Sequence, residues 1–449
     1  MTLIRIPHRL RLAPVGALLA GLAVGGCSTD SVTVTDPDVI ASEAVANASG
    51  AVAIRNGALR DFAVVFSGTQ DGFIVSTGNL ADEIHATDTF FDRLLPNERA
   101  IPNNLPAMDT YYTNLHRART GTARAIRLWA EVKPAAKDSL GELYAIRGFT
   151  EDFFGEGYCS GVPFSDEVGG EIAYGKPLTT QEIFQRAVAS FDSALATATS
   201  PAFRQLAQVG KGRALLNLGQ FAQAAAAVAD VPTTFRYQTF HSAATGAQNN
   251  GIWQGTVVPS SRYTVSNGEG TNGYPYLQTP ADPRMPWQAS TRTGFDGTTR
   301  NLPTQMKYPT NASAAVLADG IEARLIGLEA RLQGATQADR DAVFAGLNDL
   351  RRTAITPAIA ALPAAPTTQA AAVDLLFRER AYWMWLTGHR LGDMRRLIRQ
   401  YGRAANTVFP VGPVATRFGS TYGNDVNFPV PFVETNNPNA GGGCINRGA

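Results

Sequence analysis

The sequence predicts a mostly α-helical protein with a loop-rich region set into it. Three observations carry this. Apolar residues recur every three to four positions in several segments on either side of the middle of the chain. That periodicity is lost between residues 233 and 310. No continuous alternation of strand and helix runs along the 449 residues. The composition, 44% hydrophobic and 17% charged, suits an ordered globular chain. Its 43 glycines and 26 prolines imply much loop.

The first 26 residues read as an export signal. Arg5, Arg9 and Arg11 precede the apolar run LAPVGALLAGLAV, residues 12–24, which is too short for an ordinary spanning helix. The run Val24-Gly25-Gly26-Cys27 resembles a bacterial lipobox. That resemblance implies cleavage before Cys27 and acylation of the new terminus, anchoring the chain to a membrane by lipid alone. Ser28, where an aspartate would favour retention at the inner membrane, points to the outer membrane. Removing residues 1–26 takes three arginines from the 39 basic residues and nothing from the 38 acidic ones, leaving a formal charge of −2. A balanced, exported chain excludes a general nucleic-acid binder. With Cys27 lipidated, Cys159 and Cys444 remain. An oxidising envelope suits a disulfide between them, and the close C-x-x-C spacing of a zinc site is absent.

Residues 27–40 read as a lipidated tether and 41–449 as a single domain. Residues 41–66 predict a first helix, and 79–99 a partly polar loop. Tyr112, Leu115, Ala118, Ala125, Leu128 and Trp129 predict a helix over 108–131; Leu140, Leu143, Ile146, Phe149 and Phe153 predict one over 139–155. Over 178–198, Thr179 or Thr180 caps a helix and Glu182 completes a capping box. Residues 206–232 read as helix, turn at Gly219, helix. The run ALLNLGQFAQAAAAV resembles half of a tetratricopeptide repeat, a unit that stacks to build a continuous core. Helical pattern returns over 312–333, 340–360 and 369–401, and 404–449 is loop-like.

The run AYWMWLTGHRLGDMRRLIRQYGR, residues 381–403, has the aromatic and basic look of a site. Leu375, Tyr382 and Leu386 nevertheless fall on one helical face, and Gly388 is placed to end that helix. Leu391, Met394, Ile398 and Tyr401 form the stripe of a second helix. Glu379, Arg380, Arg390 and Asp393 are expected to clamp the two, with His389 structural at the turn.

No nucleophile elbow, zinc-protease motif or phosphate loop occurs, and the histidines do not cluster at metal spacing, so no catalytic residue, metal or cofactor is assigned. Asp82, Glu83, His85 and Asp88 form the densest polar cluster, read as a hydrogen-bonded turn at the edge of the body. The 233–310 region supplies flat rings for stacking in Trp253, Tyr263, Tyr274, Tyr276 and Trp287. It also supplies hydrogen-bonding groups in Arg262, Asn249, Asn250, Asn267 and Asn272, with Asp82 and Asp88 secondary.

The runs YTNLHRARTGTARAI, ELYAIRGFTEDFFGEGYCSGVPFS, LTTQEIFQRAVASFDSAL, RERAYWMWLTGHRLGDMRRLIRQYG and NDVNFPVPFVETNNPN, in this order, resemble the RagB/SusD family of outer-membrane nutrient-uptake lipoproteins. The resemblance implies a helical scaffold with tetratricopeptide-like pairs and a loop-rich ligand face. It implies a non-catalytic protein on the outer surface of the cell, capturing glycans or other nutrients for a SusC-like TonB-dependent transporter. A surface glycoside hydrolase, or a binder of peptides, stays open as an alternative. The family's sugar-binding signatures are not matched residue by residue in 233–310.

Overall fold

The computed structural model describes residues 46–169, 171–414 and 419–449. The leader, Cys27 and the tether lie outside them. Helix α1, Ala48–Ala63, is capped by Asn47, whose side chain accepts the N–H groups of Ser49 and Gly50, and continues into a wide turn, Val64–Gly68. Next come α2 (Phe73–Leu80), strand β1 (Ile84–Ala86), α3 (Phe91–Asn97), α4 (Pro106–Val132) and α5 (Lys137–Gly157). Residues 79–99, expected as loop, thus carry a strand and a short helix. β1 exists because a partner far along the chain pairs with it, which local periodicity does not reveal.

Short strands β2 (Val162–Pro163), β3 (Asp166–Val168), β4 (Glu171–Ala173) and β5 (Pro177–Leu178) lead to α6 (Thr180–Thr197), α7 (Pro201–Asn217) and α8 (Phe221–Val228). Thr179 is the cap of α6, and its box with Glu182 is closed in both directions. Gly219 makes the turn between α7 and α8 at φ +72°. These helices pack in sequence, α5 along α6, α6 along α7 and α7 along α8. The α5–α6 seam has a seven-residue rhythm. A Cβ on Gly141, Gly148 or Gly155 would sit 2.6 Å from Ala198, 2.7 Å from Phe191 and 2.4 Å from Phe184. Two turns of helix separate each glycine from the next, and the facing positions step back by the same seven. Absence of side chains on α5 lets the Phe184 and Phe191 rings seat against its backbone.

Beyond α8 the chain holds β6 (Arg236–Thr239), α9 (Gly251–Thr256), β7 (Tyr263–Val265), β8 (Trp287–Gln288), β9 (Thr304–Gln305) and β10 (Ala315–Asp319). Helices α10 (Gly320–Arg331), α11 (Gln337–Thr353), α12 (Gln369–Trp383), α13 (Arg390–Arg399) and α14 (Ala405–Val408) follow. The strands pair antiparallel in twos: β1 with β7, β2 with β5, β3 with β4, β6 with β10 and β8 with β9. The expected helix over 312–333 therefore begins only at Gly320. A short apolar run such as AVLA does not distinguish strand from helix by period alone. Asp319 ends the strand and caps α10 through Glu322 N–H, 2.8 Å. Helix α11 stops at Thr353 rather than 360, because Pro357 disfavours helical backbone before it.

The 381–403 run is scaffold. α12 ends at Trp383, so Leu386 lies in the turn rather than on the helix, and Gly388 completes that turn at φ +80°. Arg380 grips Asp393 with two bonds of 3.0 Å, and Arg396 joins Asp393 to Glu329 at 2.8 and 2.9 Å, all buried. The other half of the expected clamp is corrected: Glu379 pairs with Arg284 and Arg351, and Arg390 with Asp82. His389 is buried between Thr387, 2.8 Å, and Glu322, 2.9 Å.

Cys159 and Cys444 are joined, S–S 2.08 Å, across 285 residues. The bond seats the C-terminal tail on the end of α5, where Ile445 N–H also donates to Ser160 O at 2.7 Å. Cys444→Ser is expected to cost ~2–5 kcal/mol in denaturant unfolding, because it releases so long a loop. A variant as stable as the parent would show that the tail's hydrogen bonds suffice.

Candidate functional site

The pairing of β1 with β7 brings the polar cluster of 82–88 against the loop-rich insertion, with Ile84 opposite Val265 and Ala86 opposite Tyr263. An aspartate stands just beyond each end of β1, Asp82 paired with Arg390 and Asp88 with Arg262 and, at 3.6 Å, Arg93. Asp88, at the C-terminal end, is buried. Its Oδ1 accepts Thr89 N–H at 2.6 Å and Phe90 N–H at 3.0 Å, and its Oδ2 accepts Arg262 Nη1 at 2.7 Å. This aspartate-capped turn aims Phe90 and Phe91 outward, 52% and 60% exposed.

Arg262 leaves the end of β7 on the same side. Its carbonyl accepts Thr87 N–H at 2.8 Å, and its guanidinium lies 3.9 Å from the ring centre of Phe295 and 5.2 Å from that of Phe90. Phe90 and Phe295 are 6.1 Å apart, tilted by 43°. Phe295 is tied down by its N–H to Ser261 O, 3.1 Å, and by Asp296 N–H to Thr87 O, 3.0 Å. The result is an exposed aromatic platform with a cation fixed between two of its rings. Large exposed rings cost solvation unless something covers them, and here three separated segments are bonded together to hold them out.

Asp82, at the other end of β1, has no exposed surface. It accepts Arg390 Nε and Nη2 at 2.6 and 2.9 Å, Tyr274 N–H at 3.0 Å and Tyr276 Oη at 3.0 Å. Beside it Glu83 accepts Leu386 N–H at 2.8 Å. Burial raises the Glu83 carboxyl to about 8, against the opposing Leu386 bond and with the Asp82 charge adding to the rise. The folded chain therefore holds this proton more tightly than an unfolded one. The stability it contributes is complete below the ordinary value of 4.5 and declines as pH rises toward about 8. Thermal unfolding across that window should show Tm falling with pH, and Glu83→Gln, a mimic of the neutral acid, should flatten the slope. An equally steep slope in the variant would contradict the assignment.

Of the residues named from the sequence, Arg262 stands in the platform and Asp88 beneath it. Tyr263 and Tyr276 point inward. Tyr263 is 2% exposed with its hydroxyl on Asp71 at 2.7 Å, and Tyr276 is fully buried and stacked near Trp385. All three residues of β7 are buried, so Tyr263 lies inside while Arg262, just before the strand, stays half-exposed. Trp287 is half-buried, its Nε1–H spent on Gln278 O at 2.9 Å, and Trp253 lies half-buried in α9. Asn250 caps α9 through Trp253 N–H, Asn267 accepts Leu277 N–H, and Asn272 holds the carbonyls of Asn406 and Phe409. Tyr274 is half-buried, its ring over the Arg390 guanidinium at 4.3 Å. Phe90, Phe91 and Phe295 were not among the sequence candidates. The signal for the first two was the aromatic pair closing the polar run ATDTFF. Among the described residues no group of His, Cys, Asp or Glu is placed to hold a metal ion, and no helix is long and apolar enough to cross a membrane.

Solved structures share this architecture. A SusD superfamily protein from Parabacteroides distasonis superposes with a TM-score of 0.64 at 12% identity, over 89% of this chain and 98% of that one. A SusD-like protein from Bacteroides fragilis gives 0.64 at 12% identity, over 88% and 96%. A laminarin-binding SusD-like protein gives 0.62 at 13% identity, over 88% and 98%. No family model matches the sequence, and no curated protein matches it. The chain has the SusD-like fold, a helical scaffold carrying loops on one body.

Proposed function

We propose that this chain is a surface-exposed outer-membrane lipoprotein of the RagB/SusD kind, which captures oligosaccharides without catalysis and passes them to a SusC-like TonB-dependent transporter. The observation that carries the reading is the braced platform of Phe90, Phe295 and Arg262 on a SusD-like fold. Flat rings cover the C–H faces of sugar rings, and a fixed guanidinium donates to hydroxyls. Arg262 commits one nitrogen to Asp88 and has N–H groups left for a ligand. The laminarin-binding neighbour supports a neutral glucan as the first ligand to try. The lipobox at Cys27 supports the membrane anchor. Against a hydrolase, Asp82 and Asp88 are each spent on an arginine rather than open to a scissile bond.

Screening the purified chain against glycan and peptide arrays tests the ligand class, and protease treatment of intact cells tests the location. Binding to glycans with loss of the protein from treated cells is expected. Binding to peptides alone, or complete protection from protease, would overturn the reading.

A further inference from the structure

A groove of about 640 Å³ opens at the other end of β1 from the platform. Its walls are Tyr274 and Asn272 on one side, the outer face of α12 on the second, and Arg403 and Thr407 on the third. That volume falls in the range of small-ligand sites, ~300–1,000 Å³, and exceeds what a lone ion needs. Three arginines line it. Arg390, at the floor beneath the Tyr274 ring, is matched by Asp82. Arg403 is matched by Asp374 at 2.7 Å. Arg378, exposed on α12, has neither a hydrogen bond nor an ion pair among the described residues, and lies near enough to Tyr274 and Tyr382 for its charge to act on both phenols. The buried Nη1 of Arg390 also lacks an acceptor. The groove thus presents one uncompensated positive charge beside a half-exposed aromatic ring.

We propose that this groove is a second glycan subsite, selective for sugars that carry a carboxylate. The Tyr274 ring stacks on the sugar's C–H face while Arg378 takes the carboxylate in a charge-assisted, fork-like contact that a neutral sugar cannot make. The proposal rests on the glycan-capture reading and deepens it. Asp82 and Asp88, which anchor the two subsites, are six residues apart and so at most ~20 Å from each other.

The test is calorimetric titration of the full chain at low salt with trisaccharides of galacturonic, glucuronic and mannuronic acid, and with the methyl esters of each. At least one acid is expected to bind about tenfold more tightly than its ester, with the difference shrinking as salt screens the contact. Arg378→Gln, an exposed position, should erase the difference without moving Tm, while Phe90→Ala should leave it intact. Equal affinity of acid and ester, a preference that survives Arg378→Gln, or no binding of any uronate would overturn the proposal. A neutral glucan that still binds in those cases leaves the glycan-capture reading standing; failure of neutral and acidic sugars alike removes both.

Discussion

Asp82→Ala is expected to destabilise the protein by ~3–5 kcal/mol, the range for removing one partner of a buried ion pair. The loss arises less from the attraction itself than from what remains. Arg390 would keep its charge in an interior where no other acid among the described residues pairs with it, and the Tyr276 hydroxyl and Tyr274 N–H would lose their acceptor. Asp82 belongs to the segment before β1, the two tyrosines to the insertion and Arg390 to α13, so one carboxylate joins three parts of the chain that local sequence keeps separate. Denaturant titration measures the effect. Asp82→Asn, which keeps the shape and one acceptor oxygen, should lose less than the alanine variant. A cost under ~1 kcal/mol for Asp82→Ala would show that water reaches the guanidinium and that the site is not a hub.

Truncating both Phe90 and Phe295 to alanine is expected to weaken oligosaccharide binding by about 25- to 900-fold while leaving Tm within a degree or two. A sugar face covering ~50 Å² of ring removes apolar surface worth ~1–2 kcal/mol for each phenylalanine. Both rings are exposed in the free protein, so their loss opens no cavity in the core. Arg262 gives the effect its specificity. With its two stacking partners gone it keeps only Asp88, and its free N–H groups lose their fixed aim. Phe90→Tyr, which preserves the flat face, should retain most of the affinity.

Most of the scaffold was legible because it is written in local terms. The capping box at Thr179 and Glu182, the stripe of Leu143, Ile146, Phe149 and Phe153, and the turn at Gly219 each need only a few adjacent residues to declare themselves. The run RERAYWMWLTGHRLGDMRR declared its two helices and an ionic clamp between them, of which the Arg380–Asp393 pair forms. The partners of Glu379 and Arg390 were hidden, since Arg284, Arg351 and Asp82 reach them through the fold. The three glycines of α5 carry a period of seven that makes sense only once Phe184 and Phe191 lie opposite.

The site was harder. Ring count drew attention to 233–310, yet Tyr263, Tyr276 and Asn250 of that region are buried and spend their polar groups inside the protein, on Asp71, Asp82 and the N-terminus of α9. Phe90 and Phe91 lay in a stretch expected to be edge loop, and Phe295 among Thr, Gly and Asp. What makes them a platform is the β1–β7 pairing and the grip of Asp88 on Arg262, neither of which leaves a local mark. Exposure of an aromatic ring is a property of the folded chain, and sequence pattern reports burial far better than its absence.

The measurement that bears most directly on the central claim compares two double variants in calorimetric titration with whichever oligosaccharide the array identifies. One removes the platform rings, Phe90→Ala with Phe295→Ala; the other removes the half-buried tryptophans of the insertion, Trp253→Ala with Trp287→Ala. The platform variant is predicted to lose most of its affinity with Tm unchanged, and the tryptophan variant to keep its affinity at reduced stability. Full affinity in the platform variant, with binding abolished in a folded tryptophan variant, would contradict the account and place the ligand elsewhere on the insertion.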